Sequence, residues 1–317
     1  MNHTKNDDAD VMTETTGKKA GDAVKCGYVA VIGLPNAGKS TLMNRYLKEK
    51  VSIVTPKPQT TRANVTCILS SDTYQIIFID TPGLLRPRYR MQEVMASLIQ
   101  TAIGESDVIL VIIDAAAFRE DIHPRLAEIL ESIKRKKALI ALNKIDLIHP
   151  KTKLLTIIEK TTERFGDIDI VPLSALTGDG TGDLFSLILD RLPEGPKLYP
   201  DDIISTEPER FFVAELIREA IFLTMSEEIP YASGVVIDDF SERETVTVIH
   251  ASILVEKKSQ KPIIIGRNGS TIKEIGIKAR RGIEEFLARK VFLDLHVKVR
   301  KDWRNKDTFL REIGLKR

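Results

Sequence analysis

The chain has 317 residues, of which 43% are hydrophobic and 29% charged, with a formal net charge of +2. That composition describes a soluble globular protein long enough for two domains, and no apolar run approaches the roughly 18 residues of a membrane span. Two cysteines, Cys26 and Cys67, and five scattered histidines exclude a disulfide scaffold and a zinc cluster, and the cysteines read as packing residues in a reducing compartment.

Met1–Lys25 is polar, mixed in charge and acidic near its start, so it reads as a flexible tail rather than a signal or transit peptide. Val29–Ile32 is an apolar run of strand length. It leads into Gly33-Leu34-Pro35-Asn36-Ala37-Gly38-Lys39-Ser40, which fits G-x-x-x-x-G-K-[ST] at every fixed position. Helical spacing follows from Thr41, with Leu42, Tyr46 and Leu47 on one face. Strand, glycine loop and helix form a phosphate cradle, because the loop N–H groups and the helix N-terminus both favour negative charge. Lys39 is expected on the β- and γ-phosphates as a catalytic group, and the Ser40 hydroxyl on Mg²⁺.

Val51–Val54 predicts a short strand. The prolines of Thr55-Pro56-Lys57-Pro58-Gln59-Thr60-Thr61-Arg62 forbid regular structure, and this loop can lie over the phosphates. Thr61 is expected to give Mg²⁺ a second hydroxyl, with Thr60 as the alternative. Asn64–Leu69 and Tyr74–Ile79 predict two further strands, the second ending at Asp80-Thr81-Pro82-Gly83. A carboxylate there can hold Mg²⁺ through its water shell, and the Gly83 N–H can bond a γ-phosphate and lose that bond on hydrolysis.

Val108–Ile113 and Ala138–Leu142 predict core strands, separated by a helical segment from about Asp121 to Lys134. The second strand runs into Asn143-Lys144-Ile145-Asp146. The Asp146 carboxylate can accept from guanine N1–H and N2–H₂, donors that adenine lacks, and sites of that kind reject the wrong base by roughly 10⁴-fold or more. Asn143 is expected to tie the base region to the phosphate loop, and the Lys144 stem to cover the base plane. Ile170–Leu173 predicts a last strand, closed by Ser174-Ala175-Leu176, whose backbone N–H groups can meet guanine O6. Gly178–Gly182 then turns into a helix through Leu192.

Pro193, Gly195, Pro196 and Pro200 mark an interdomain linker. Beyond it the charge changes sign: Glu256–Arg317 holds 18 Lys/Arg and 8 Asp/Glu, a net +10 against −8 for the rest. Such a segment suits a polyanionic partner. Phe211–Leu223 has helical spacing, while Val235–Asp239, Thr245–Val255 and Val291–Val299 read as strands. Ile263–Ile265 runs into Gly266-Arg267-Asn268-Gly269, and Thr271 and Glu274 offer a capping box to a helix whose core face is Ile272, Ile275, Ala279, Ile283 and Phe286. G-x-x-G with a basic residue, followed by a cationic amphipathic helix, is the layout of a KH domain. There Arg267 and Lys273 meet phosphates and single-stranded bases lie in an adjacent apolar groove. Trp303 can stack a base or anchor the last helix.

The nucleotide motifs stand in the order and spacing of the translation-factor-related GTPases. The Pro35-Asn36 loop, the Pro58-Gln59-Thr60-Thr61-Arg62 segment and the Asp80–Gly83 turn resemble the Era family. So does the helix–strand–strand–helix–strand order of the end of the chain, a type II KH domain followed by Lys298–Arg304. The resemblance implies a Ras-like α/β domain, mostly parallel with one antiparallel edge strand, followed by an α+β KH domain. The expected divisions are a tail over 1–25, a GTPase domain over 26–192, a linker over 193–209 and an RNA-binding domain over 210–317. It further implies GTP and GDP as ligands and Mg²⁺ as cofactor. The RNA partner would be 16S rRNA near its 3′ end, with a role in 30S subunit assembly. A monomer in the cytoplasm is expected, without a DNA partner. Leu84 stands where Ras-type proteins carry a water-orienting glutamine, so hydrolysis is expected to be slow without assistance. Asn36 matches an asparagine that coordinates K⁺ in related GTPases, where the cation stabilises transition-state charge. His296 departs from an aromatic residue expected in the last strand. Two other readings stay open: a constitutive RNA-binding scaffold with a non-cycling GTP site, and a GTPase acting peripherally at the inner face of the cell membrane.

Overall fold

The computed structural model describes residues 23–49, 52–55, 57–119, 121–133, 138–166 and 168–315. The first domain is built on strands β1 (Val24–Gly33), β2 (Val65–Ser70), β3 (Tyr74–Asp80), β4 (Val108–Asp114), β5 (Ala138–Asn143) and β6 (Asp169–Pro172). They form a sheet in the order β2-β3-β1-β4-β5-β6, parallel throughout except that β2 runs against β3. The strands are near-continuous apolar runs because both faces are covered. Helices α1 (Lys39–Leu47) and α5 (Thr181–Arg191) close one face, and α2 (Arg90–Glu105), α3 (Pro124–Ser132) and α4 (Thr152–Phe165) the other. Cys26 and Cys67 are both buried.

The tail reading falls mostly outside the described residues, but Val24 and Lys25 already belong to β1. Of the strand expected over Val51–Val54, Val51 lies outside the described residues and 52–54 are irregular chain. Of the helix expected to Lys134, α3 ends at Ser132 and Lys134 lies outside the described residues. The segment 193–208, within the expected linker, is bonded to the sheet. Glu194–Gly195 (β7) pairs with β1, and the Ile68 N–H donates to Ile204 O at 2.7 Å. The buried Gln75 amide accepts from Leu198 and Tyr199 N–H at 2.7 and 2.9 Å and donates to Tyr199 O at 2.7 Å.

The second domain opens with α6 (Glu209–Thr224) and a short α7 (Ile229–Ala232). A three-stranded sheet follows, ordered β10-β9-β8, from β8 (Gly234–Glu242), β9 (Thr247–Val255) and β10 (Val291–Val299). β8 pairs antiparallel with β9, while β10 runs parallel to β9. Between β9 and β10 lie α8 (Gln260–Ile265), the Arg267–Gly269 turn and α9 (Ser270–Leu287). α9 buries Ile275, Ala279, Ile283 and Leu287 against α6, whereas Phe286 is 38% exposed and meets the Phe212 ring at a tilt of 42°. The capping box does not form: α9 starts at Ser270 without a side-chain cap, and Glu274 pairs with Lys278 at 2.8 Å. His296 points to solvent beside Asp294, so it takes no part in packing the sheet.

Helix α10 (Asp307–Glu312) returns the chain to the first domain. Trp303 is fully buried, packs with Met91 and Met95 of α2, and donates its indole N–H to Ala232 O at 3.1 Å. It is an anchor and is closed to a base. Among the described residues no helix is long and apolar enough to cross a membrane. Replacing Trp303 by Ala is expected to cost roughly 3–5 kcal/mol, seen as a lower urea midpoint; an unchanged midpoint would contradict this packing.

Candidate nucleotide and nucleic-acid sites

The strand order places β1 between β3 and β4, so the chain ends of Gly33, Asp80, Asp114 and Asn143 open on one crevice. Such a crevice at the carboxyl ends of parallel strands is where open α/β sheets bind ligands. A cavity of about 380 Å³ lies there, lined by Pro35, Asn36, Gly38–Thr41, Ile53–Thr55, Gln59–Thr61, Gly83 and Lys144. Gly33, Leu34, Ala37 and Leu84 frame the loop behind it. Leu34 and Leu84 pack on the α2–α4 core, Ala37 is buried, and Leu84 N–H donates to Gly33 O at 3.0 Å.

The Ser40 hydroxyl donates to Asp80 Oδ2 at 2.8 Å and lies 3.1 Å from Thr61 Oγ1. It is thus Thr61, not Thr60, whose hydroxyl reaches the loop. Asp80 is fully buried, and its Oδ1 has no hydrogen-bond partner. Burial raises the Asp80 pKa; the Lys39 ammonium and the hydroxyls of Ser40, Ser52 and Thr61 pull it back. Burial also lowers Lys39, to about 8, with Asp80 opposing. Lys39 Nζ donates to Gly33 O and Leu34 O at 3.3 and 3.2 Å, on the inner side of the loop.

Gly83 stands so close to the loop that a Cβ would come within 2.8 Å of Pro35 N. Its two predecessors have structural work: Thr81 is buried with its hydroxyl donating to Val31 O at 2.7 Å, and Pro82 is buried beside it. Neither is among the residues lining the cavity.

Asn143 fastens the base side to the phosphate side. Its amide donates to Ala37 O at 2.7 Å and accepts the Ala175 N–H at 2.8 Å. Gly38 makes room for it, since a Cβ there would lie 2.1 Å from Asn143 Nδ2 on a backbone with φ of +98°. The Ser174 N–H is bonded to Asp179 O, so two of the three N–H groups expected at guanine O6 have protein partners. Leu176 is 72% exposed, and Arg45 of α1 donates to the carbonyls of Ala175 and Leu176. Ile145 N–H is bonded to Leu173 O, and Asp146 sits half-buried in the turn that follows. Lys144 has a left-handed backbone and its ammonium pairs with Asp114 at 2.6 Å. Asp114, Arg45, Ile53 and Val54 were not foreseen, whereas Thr55 and Gln59 belong to the loop expected over the phosphates. Asp114 alone had a sequence signal, a carboxylate closing an apolar strand beside the other strand ends.

The second site is a groove of about 310 Å³ between α9 and β10, lined by Ile272, Lys273, Gly276, Ile277, Arg280, Leu293 and Leu295. Its rows are helical and alternating spacings that the core-face reading passed over. Arg267, Asn268 and Lys273 are exposed at its end. Gly266 and Gly269 both have φ of +76°, and at Gly266 a Cβ would collide with Thr271 Oγ1 at 2.2 Å.

The two sites are linked through the Gln59–Arg62 segment. Arg62 is 5% exposed and donates to Ser233 O at 2.8 Å and to Pro230 O at 3.0 Å, at the end of α7. Arg218 of α6 donates to Thr60 O, and Lys57 to the Phe222 and Met225 carbonyls that end α6. The start of α2 is tied as well, by Arg90 to Asp307 at 2.9 Å and by the Arg304 guanidinium over the Tyr89 ring at 4.6 Å.

Lys39 gives a pH test. Below about pH 8 it is already protonated, so phosphate binding needs no proton. Above that pH the anion must draw a proton onto it, and GDP affinity is expected to fall as pH rises from about 7 to about 9. Calorimetry in buffers of different ionisation enthalpy checks this by showing proton uptake only at the upper end. Equal affinity and no uptake across the range would contradict it.

Comparison with known proteins agrees with this geometry. The family described as 50S ribosome-binding GTPase matches residues 28–144, and the KH domain family matches residues 228–304. GTPase Era of Trichlorobacter lovleyi is 43% identical over 291 residues, spanning 92% of this chain and 97% of that protein. GTPase Era of Desulfovibrio desulfuricans is 41% identical over 300 residues, spanning 92% and 97%. A solved structure of Era with MgGDPNP and nucleotides 1506–1542 of 16S ribosomal RNA superposes with a TM-score of 0.88 at 39% identity, covering 92% of this chain and 99% of that one. A variant of Aquifex aeolicus Era bound to GDP·AlF4⁻ gives the same TM-score, identity and coverage. The chain belongs to the Era family and is a GTPase with a Ras-like nucleotide domain and a KH domain.

Proposed function

We propose that this GTPase is a switch that binds 16S rRNA near its 3′ end through the KH groove and assists 30S subunit assembly, with the bound nucleotide setting its RNA affinity. One observation carries the coupling. Thr61 meets Ser40 at the phosphate loop while its neighbours Thr60 and Arg62 are held by the second domain. The RNA partner is supported by the solved relative with that rRNA segment and by the basic α9 beside the groove. Action in the cytoplasm, with the basic domain open to an anionic membrane surface, belongs to the same reading and rests on charge.

The residues present fit Mg²⁺. Ser40, Thr61 and Asp80 offer a set of oxygens that suits a hard cation, and Asp80 Oδ1 is buried without a partner. Mg²⁺ held there supplies charge neutralisation at the β- and γ-phosphate oxygens. Lys39 stabilises the same charge from the loop. Gly83, packed on Pro35, sets a backbone N–H beside the γ-phosphate position. Asn143 holds the base loop in register. A water attacks in line, and no protein nucleophile is needed. Leu84 is turned into the core and offers no polar atom to that water.

K⁺ at Asn36 is part of the proposal. Asn36 lines the phosphate cavity with a φ of 62°, where a monovalent cation would supplement Lys39. Single-turnover phosphate release is expected to be faster in K⁺ than in Na⁺ by about tenfold or more, and Asn36→Ala to abolish the difference. Equal rates in the two salts would remove K⁺ from the account.

The coupling is tested by RNA binding. A fragment of the 16S 3′ region is expected to bind about fivefold or more differently with a non-hydrolysable GTP analogue than with GDP. Arg62→Met should bring that ratio close to one without abolishing binding. The same RNA affinity with both nucleotides in the unsubstituted protein would overturn the switch and leave a constitutive scaffold.

A further inference from the structure

The base loop Ser174–Leu176 has three backbone N–H groups to offer a base, and two are already engaged. Ser174 N–H donates to Asp179 O at 2.9 Å and Ala175 N–H to Asn143 Oδ1 at 2.8 Å. The third, of Leu176, has no partner among the described residues. It stands at an exposed tip, where an N–H can select a base only if its peptide is held in one orientation.

Arg45, in the last turn of α1, holds that peptide. Its Nε donates to Ala175 O at 2.7 Å and its Nη2 to Leu176 O, so one planar fork spans two consecutive carbonyls. Gly178 makes room for the fork: a Cβ there would lie 2.7 Å from Arg45 Nη1, on a backbone with φ of +102°. Beside it the Tyr46 hydroxyl donates to Thr181 O at 2.8 Å, at the start of α5. Ser174 closes the turn from within, its hydroxyl accepting the Thr177 N–H at 3.1 Å and its carbonyl the Gly178 N–H at 2.8 Å.

The Ala175–Leu176 peptide is trans and planar, so its C=O and N–H point in opposite directions. Fixing the carbonyl on α1 therefore fixes the N–H away from α1. We infer that Arg45 is a positioning residue for guanine recognition: by holding the Ala175 and Leu176 carbonyls it aims the Leu176 N–H at O6 of the base whose N1–H and N2–H₂ face Asp146. The inference rests on the reading of Ser174–Leu176 as the O6 loop. Arg45 is not among the residues lining the phosphate cavity, and it acts through the loop alone. One helix thus serves both ends of the nucleotide, with Lys39 and Ser40 in its first turn and Arg45 in its last.

The test compares three nucleotides on full-length protein by competition with a fluorescent GDP. They are GDP, inosine diphosphate, which keeps O6 but lacks the 2-amino group, and 2-aminopurine riboside diphosphate, which lacks O6. One neutral hydrogen bond is worth about threefold to tenfold in affinity. Arg45→Met is expected to weaken GDP and inosine diphosphate by that factor and to leave the 2-aminopurine nucleotide unchanged. Arg45→Lys keeps the charge at the helix end but not the fork, and is expected to show part of the same selective loss. Equal weakening of all three nucleotides by Arg45→Met, or no change in any, would overturn the inference and leave Arg45 a stabiliser of α1. If the unsubstituted protein binds GDP and the 2-aminopurine nucleotide equally, the assignment of the loop to O6 falls, and the role of Arg45 with it.

Discussion

A guanidinium buried between two domains must have its donors met, because an unpaired buried charge costs several kcal/mol. Arg62 meets that demand with carbonyls at the end of α7, which belong to the KH domain. Burial and the charge of Arg218 nearby draw its pKa down to about 9, so it stays a cation at neutral pH. The contact therefore tolerates little displacement: either the Gln59–Arg62 segment sits in this arrangement or the charge leaves for water. A contact of that kind is close to two-state, which is what converts a small change at a phosphate into a larger change elsewhere. Thr61 lies one residue away and faces the other direction, toward Ser40 and Asp80.

The first domain supplies the rigid half of this device. Strand ends bring Asp80, Asp114 and Asn143 to a common edge, and glycines at positions 38 and 83 allow chain segments to approach more closely than any side chain would permit. The second domain supplies the lever. α6 takes hold of Thr60 through Arg218 and, on its other side, packs against α9, the helix that walls the groove. α2 is bound by the C-terminal segment through Trp303 and Arg304. Both segments that border the phosphates thus carry contacts from the far domain.

The phosphate loop, the Asp80–Gly83 turn and the Asn143–Asp146 turn were legible because their chemistry fixes residue types at fixed spacings. The core strands were legible because burial on both faces leaves apolar runs little ambiguity. What escaped depends on partners distant in sequence. Helices α2 and α4 and the segment 193–208 take their places from tertiary contacts. Pro193, Gly195, Pro196 and Pro200 read as an interdomain linker, and what that reading could not show is that the Gln75 amide fastens the segment to β3. Thr271 has the sequence of a cap, but the cap position falls two residues earlier, where Gly269 in the left-handed region turns the chain. Thr81 sits inside a functional motif and serves the fold, with its hydroxyl on Val31. Trp303 had two readings, and the depth of the α2 cluster decides between them.

The central claim is that the γ-phosphate end of the first domain and the groove of the second share one mechanical element. Hydrogen–deuterium exchange of the full-length protein, compared between Mg²⁺ with a non-hydrolysable GTP analogue and Mg²⁺ with GDP, addresses it most directly. The account predicts that protection at Thr60–Arg62 changes together with protection at the α6 end, α7 and α9. Changes confined to the phosphate loop and its two neighbouring segments, with 222–233 and α9 indifferent to the nucleotide, would contradict it.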